Sequence, residues 1–195
     1  MKFNQMLTIQ KSITEEEIIR GCRKGRQTDQ RTLYDRVSGK MLAVCNRYIR
    51  DREEAEHVMI GGMVKVFNNI QQYSGEGSFE GWIRRIMVNE SLMYIRKHRA
   101  MSVEVEIEKA DFEPNIEDVS SNLQKEDLMR FVQELPVGYR TVFNLYAIEG
   151  YNHAEIADML GVSENTSKSQ LSRARKLLQT RIGEMELKEK KTSNG

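Results

Sequence analysis

The sequence predicts an all-α protein of two small helical domains joined by a flexible acidic linker. Three observations predict it. Apolar residues recur at helical spacing through most of the chain. Only two prolines, Pro114 and Pro136, interrupt the pattern. One aperiodic, carboxylate-rich stretch, 101–124, divides the helices into two groups. The chain's 195 residues suffice for one large domain or two small ones. Its 30% charged and 39% hydrophobic content suits a soluble helical protein.

Three helices precede residue 73. Thr14 with Glu17 forms a capping-box start for the first. The second runs from about Thr28 to Arg50 and carries Tyr34, Val37, Met41, Val44, Cys45 and Tyr48 on one face. Asp51 with Glu54 opens the third, with Ala55, Val58, Met59, Met63, Val66, Phe67 and Ile70 as its stripe. Spacing of i, i+3, i+4, i+7 in each points to a shared core. "YSGEGS" (73–78) is a loop. A long helix follows, from Phe79 to about Arg99. Phe79, Ile83, Ile86, Met87 and Met93 fill one of its sides, and Val88, Leu92 and Ile95 much of another. Helices resume at Lys125, run to Pro136 and then to Gly150, and end in a helix pair. The last residues read as a polar tail.

The C-terminal pair has the form of a helix-turn-helix. Asn152 and Glu155 start the first short helix, Gly161 ends it, and Ser163 caps the second. Ile156, Ala157, Leu160, Val162, Leu171, Ala174 and Leu178 face inward. The opposite stripe presents Asn165, Lys168, Ser169, Ser172, Arg173 and Lys176. Basic and short polar groups on one stripe suit a major-groove helix, because Arg and Lys bond guanine edges while Ser and Asn bond bases or phosphates.

On the long helix a narrow strip remains: Trp82, Arg85, Asn89 and Arg96. An aromatic ring, an amide and guanidinium groups there suit single-stranded nucleic acid, with Tyr73 as a second stacking platform. Trp82 reads equally as a core residue, and the basic strip as a solvated face. "SGEGS" lacks the Gly-Lys-Ser/Thr of a phosphate-binding P-loop.

Net charge is only +1, but residues 84–99 hold five Lys/Arg against one Glu, and 102–127 nine Asp/Glu against two Lys. Cys22 and Cys45 lack metal-ligand spacing and read as small buried hydrophobes in a reducing, cytoplasmic setting. No stretch is long and apolar enough for membrane insertion, and the N-terminus lacks a secretory pattern. His57, His98 and His153 are scattered, so no catalytic constellation, metal site or cofactor is expected. The alternatives are a stand-alone helix-turn-helix regulator and, more remotely, an enzyme.

Together, "GSFEGWIRRIMVNESLMYIRKHR" (77–99) and "LPVGYRTVFNLYAIEGYNHAEIADMLGVSENTSKSQLSRARKLL" (135–178), with "AEHVMIGGMVKVF" (55–67), resemble a bacterial RNA polymerase sigma factor of the extracytoplasmic-function (ECF) group. The resemblance implies a four-helix sigma-2 domain over 1–100, a linker over 101–124, a sigma-4 domain over 125–183 and a tail over 184–195. It implies core RNA polymerase and promoter DNA, both duplex and non-template single strand, as partners, with an anti-sigma factor besides. The −10 element would meet Tyr73, Ser74, Gly77, Ser78, Trp82, Arg84, Arg85, Asn89 and Arg96. The −35 element would meet Asn165, Thr166, Lys168, Ser169, Ser172, Arg173 and Lys176. Val58, Met59, Met63 and Val66 would dock on the polymerase. The linker would thread toward the active-site cleft, where Glu104, Glu106 and Glu108 could imitate nucleic acid. The chain departs from the pattern at His57, Ile60 and Gly61 in the docking helix, at Ser167 (a usual Val) and at Gln170 (a usual Arg). A buried Ser167 hydroxyl would weaken packing unless it bonds back to a carbonyl.

Overall fold

A computed structural model describes residues 13–99 and 125–193; the expected acidic linker lies outside them. Among the described residues the regular structure is entirely helical. Helices α1 (Glu15–Arg23), α2 (Gln27–Tyr48), α3 (Arg52–Asn69) and α4 (Phe79–Arg99) form the N-terminal half. Helices α5 (Lys125–Glu134), α6 (Val137–Phe143), α7 (His153–Leu160) and α8 (Glu164–Ser193) form the C-terminal half.

Local chemistry sets most of these boundaries. The Thr14 hydroxyl accepts from the Glu17 amide at 3.2 Å, and the Glu17 carboxylate accepts from the Thr14 amide at 2.9 Å. Asp51 caps α3 through the Glu54 amide at 2.9 Å. Such caps satisfy amides that a helix leaves bare at its start. Arg23, at the end of α1, donates from Nε to the Ile70 carbonyl at 3.5 Å and from Nη2 to the Tyr73 carbonyl at 2.5 Å. This anchors the short 3₁₀ turn Ile70–Gln72 that leads into the 73–78 loop.

Two features differ from the sequence expectation. After Phe143 the chain widens into a π-helical turn over Asn144–Ile148 instead of continuing as α-helix. Such turns arise where one residue too many is fitted between packed faces. And α8 runs to Ser193, so residues 184–193 continue the helix where a separate polar tail was expected.

Two apolar clusters organise the molecule. The larger joins α1–α4, through Ile18, Leu33, Met41, Met63, Phe79 and Met87, to Val142, Leu145, Ile156 and Leu171 of the C-terminal half. The smaller packs Phe131, Val132 and Leu135 on Ala174, Leu178 and Ile182. The two halves therefore meet across a shared core. Met93, expected inside, is 54% exposed. Cys22 and Cys45 are free and buried, and burial pushes each thiol up to about 11, so both behave as small hydrophobes.

Candidate nucleic-acid interface

The first expected contact region is the loop and N-terminal half of α4. Gly75 and Gly77 adopt φ of +88° and +73°, which a side chain would strain. The Tyr73 hydroxyl donates to the Gly77 carbonyl at 2.8 Å and closes the loop on itself. Its ring packs on Phe79 and Trp82 at centroid distances of 4.9 and 5.7 Å. Tyr73 is thus buried in the loop's footing, and its ring is no open stacking platform. Trp82 lies nearly parallel to Phe79, tilted by 10°, and is half-buried. The Ser78 hydroxyl accepts from the Gly81 amide at 3.3 Å, capping α4, and the Ser74 hydroxyl accepts from the Glu76 amide at 3.2 Å. Ser74, Gly77, Ser78, Arg85 and Asn89 are exposed. Arg85 and Asn89, four residues apart, lie on the same side of the helix.

The second region is the helix-turn-helix. Asn152 and Glu155 form a reciprocal capping box at 2.9 and 2.8 Å. Gly161 ends α7 in the left-handed conformation, at φ +67°. The Ser163 hydroxyl accepts from the Thr166 amide at 3.0 Å and starts α8. Asn165, Lys168, Ser169 and Lys176 are exposed on α8; Thr166, Ser172 and Arg173 are half-buried. Arg173 lies 3.5 Å from the Tyr139 hydroxyl, Lys168 pairs with Glu164 at 3.5 Å, and Ser169 donates to the Thr166 carbonyl at 3.0 Å.

Ser167 is fully buried, and its hydroxyl bonds a side chain: His153 Nδ1, at 2.9 Å. The His153 ring stacks on Tyr146 at 4.7 Å, and Arg175 lies over the other partner of that stack, 5.6 Å from the Tyr146 ring centre. A polar pair thus replaces an apolar contact between α7 and α8, which accounts for the unusual serine. Burial, then Lys168 and Arg175, hold the imidazole below its ordinary pKa of 6.5, and Glu164 opposes them. The unfolded chain therefore binds a proton that the folded chain refuses, so this pair's stability is complete above pH 6.5 and is lost as pH falls below it. In thermal melts, the wild-type Tm should fall more between pH 7.5 and 5.5 than that of His153→Phe. Equal falls would rule the pair out as the source.

Gln170 points inward, against Gly138 and beside Leu92, Ile95 and Arg96, so its position lies away from the exposed stripe. In α3, Met59 and Met63 are 2% exposed and Val66 is fully buried. Core packing claims these three side chains, which cannot reach a partner, and only half-buried Val58 keeps a surface. The outward face of α3 carries His57, Ile60, Gly61 and Val64 instead.

Sequence reasoning missed a band of arginines between the halves. Glu149, whose side chain is 6% exposed, accepts from Arg47 Nη2 at 2.8 Å and from Arg84 Nε at 2.6 Å and Nη2 at 3.0 Å. That hydrogen bonding holds the Arg84 guanidinium above its usual pKa. Arg50 donates to the carbonyls of Gln133, Glu134 and Leu135 at 2.6, 2.6 and 3.2 Å, capping the end of α5. Arg96 donates to the Met159 carbonyl near the end of α7 at 2.7 Å. Helix C-termini carry partial negative charge, so they suit guanidinium groups. Asn144 donates to the Arg47 carbonyl at 2.8 Å, and buried Arg140 to that of Tyr48 at 3.0 Å. Along this seam Arg47 Nε, the Tyr48 hydroxyl, Arg140 Nε and Asn144 Oδ1 are buried without a hydrogen-bond partner among the described residues. Each such atom costs about 1–3 kcal/mol. No local pattern marks these pairings, because the partners lie up to 102 positions apart.

Among the described residues there is no group of three or more His, Cys, Asp or Glu that could hold a metal ion, and no helix long and apolar enough to cross a membrane. A family model for sigma-70 region 2 matches residues 33–101, and one for sigma-70 region 4 matches residues 125–178. The ECF RNA polymerase sigma-E factor of Haemophilus influenzae is 23% identical over 183 residues, covering 87% of this chain and 96% of its own. The factor SigE of Mycolicibacterium smegmatis is 31% identical over 144 residues, 71% of this chain and 56% of its own. Two solved structures align at a TM-score of 0.47. CnrH in complex with the cytosolic domain of CnrY shares 18% identity over 85% of this chain and 95% of that one. The sigma factor RpoE in complex with the anti-sigma factor NepR from Bartonella quintana shares 22% over 78% and 95%. With both sigma-70 regions matched in order and ECF relatives aligned along most of its length, the chain belongs to the ECF group of RNA polymerase sigma factors.

Proposed function

We propose that this sigma factor, which directs promoter-specific initiation, divides promoter reading between its halves. The sigma-2 part, residues 1–100, melts and reads the −10 element through the 73–78 loop, Arg85 and Asn89, joined by Trp82, Arg84 and Arg96. The sigma-4 part, residues 125–183, grips the −35 duplex through Asn165, Thr166, Lys168, Ser169, Ser172, Arg173 and Lys176. One observation carries the reading: two separate polar strips, on α4 and on α8, are each held to the surface by a rigid, capped element. The polymerase docks on the outward face of α3, at Val58, Ile60 and Val64. That places the chain in the cytoplasm, with an anti-sigma factor as a further partner. Binding to core polymerase and start-site mapping on genomic DNA test this directly, and a chain that neither binds nor selects start sites overturns it.

The two halves should fail separately. Arg173→Ala should cost about 1–3 kcal/mol in binding to the upstream duplex if it bonds a base edge. Asn89→Ala should leave that binding intact and reduce melting of the downstream element, followed by permanganate reactivity of unpaired thymines. Equal losses at both elements from either variant would contradict the division.

A further inference from the structure

We infer that the free chain is latched shut: Glu149 and the carbonyl end of α7 occupy Arg84 and Arg96, two sigma-2 arginines that promoter reading needs free, while Arg47 and Arg50 hold the same two halves together. The inference rests on the promoter reading above and concerns how access to that site is controlled. Four arginines of the N-terminal half each hold an acceptor of the C-terminal half: Arg47 and Arg84 the Glu149 carboxylate, Arg50 and Arg96 main-chain carbonyls at the ends of α5 and α7. Arg84 and Arg96 are among the groups assigned to the −10 element. Glu149 presents two carboxylate oxygens to two guanidiniums, the geometry in which Arg binds a phosphate. In the closed chain it stands in the place of nucleic acid.

Closure is also incompatible with reading both elements at once. By their positions the elements lie about 25 base pairs, or about 85 Å, apart along B-form DNA. A compact chain of this length has a radius of gyration of about 16 Å and spans about 40 Å. The halves must therefore part. Parting also relieves the seam, since the four buried polar atoms without a hydrogen-bond partner among the described residues lie along it and opening returns them to water. Glu149 itself touches no DNA in the proposed reading, which makes it the contact to remove.

The test uses the full chain with Glu149→Gln, which keeps the side chain's shape and loses its charge, and separately Arg47→Gln on the opposite half. Circular dichroism checks that each variant keeps its helix content. Small-angle scattering should show a compact wild type and a larger radius of gyration for both variants. Apparent affinity for core polymerase, and transcription at limiting sigma factor, should rise about tenfold in Glu149→Gln as the competent fraction grows. Transcription at saturating sigma factor should stay level. An extended wild type, or compact variants that bind polymerase like wild type, overturns the latch. If neither wild type nor the variants select start sites, the promoter assignment fails, and the regulatory meaning of the latch fails with it.

Discussion

Phe79→Ala should destabilise the protein by about 3–5 kcal/mol in urea unfolding, the usual cost of emptying a large aromatic site in a core. Phe79 is fully buried and packs against Tyr73 at 4.9 Å and Trp82 at 5.9 Å. Its ring is the floor on which the loop's closing residue rests. Tyr73 is tied to Gly77 through its hydroxyl and to Arg23 through its carbonyl. Removing the floor should loosen that arrangement, so −10 melting should fall beyond what the lost folded fraction explains. Upstream duplex binding should hold up once corrected for folding. A loss below about 1 kcal/mol would show that the aromatic group does not support the loop.

Arg140→Met should cost about 3–5 kcal/mol, because it removes a buried charged donor and strands the carbonyls it serves. The guanidinium donates to Gln133 at 2.8 Å, Leu135 at 3.4 Å and Tyr48 at 3.0 Å. Burial, assisted by Arg50, brings its pKa down to about 10, so the group stays charged at neutral pH. Arg50 still reaches Gln133 and Leu135 in the variant, but nothing replaces Arg140 at Tyr48. The damage should therefore fall on the junction between α2 and α6. Hydrogen exchange should rise at α6 and at the end of α2 before it rises in α3 and α4. A uniform rise would mean that the arginine supports the fold as a whole and not this junction.

Helix starts were legible because a cap is a local event. Thr14, Asp51, Asn152 and Ser163 each find their amide partner three residues on. The core stripes of α2 and α3 followed from periodicity for the same reason. What periodicity could not say was which polar residues at inward positions would find partners. Ser167 and His153 are fourteen residues apart, and either alone looks like a packing defect. Two polar residues at inward positions of adjoining helices were the available signal. Tyr73 carried no such signal, since an aromatic ring beside glycines suits a buried footing and an open platform alike. The docking positions failed differently: a stripe that fills a core cannot also face a partner, so the buried Met59, Met63 and Val66 leave contact to their outward neighbours.

By itself the sequence determined the helical class, the ends of most helices, the helix-turn-helix with its polar stripe, and the order of two sigma regions. The first three depend on residues within a turn or two of one another, and the last on the resemblance of two longer motifs to the family. Only the tertiary structure decided that the two halves share a core and that Arg47, Arg84, Arg50 and Arg96 are held by the other half. It also decided that Glu149 sits between two of them. Those pairings join residues 63 to 102 positions apart. Charge attracts irrespective of sequence distance, and nothing in the local pattern records which carboxylate a given arginine will meet.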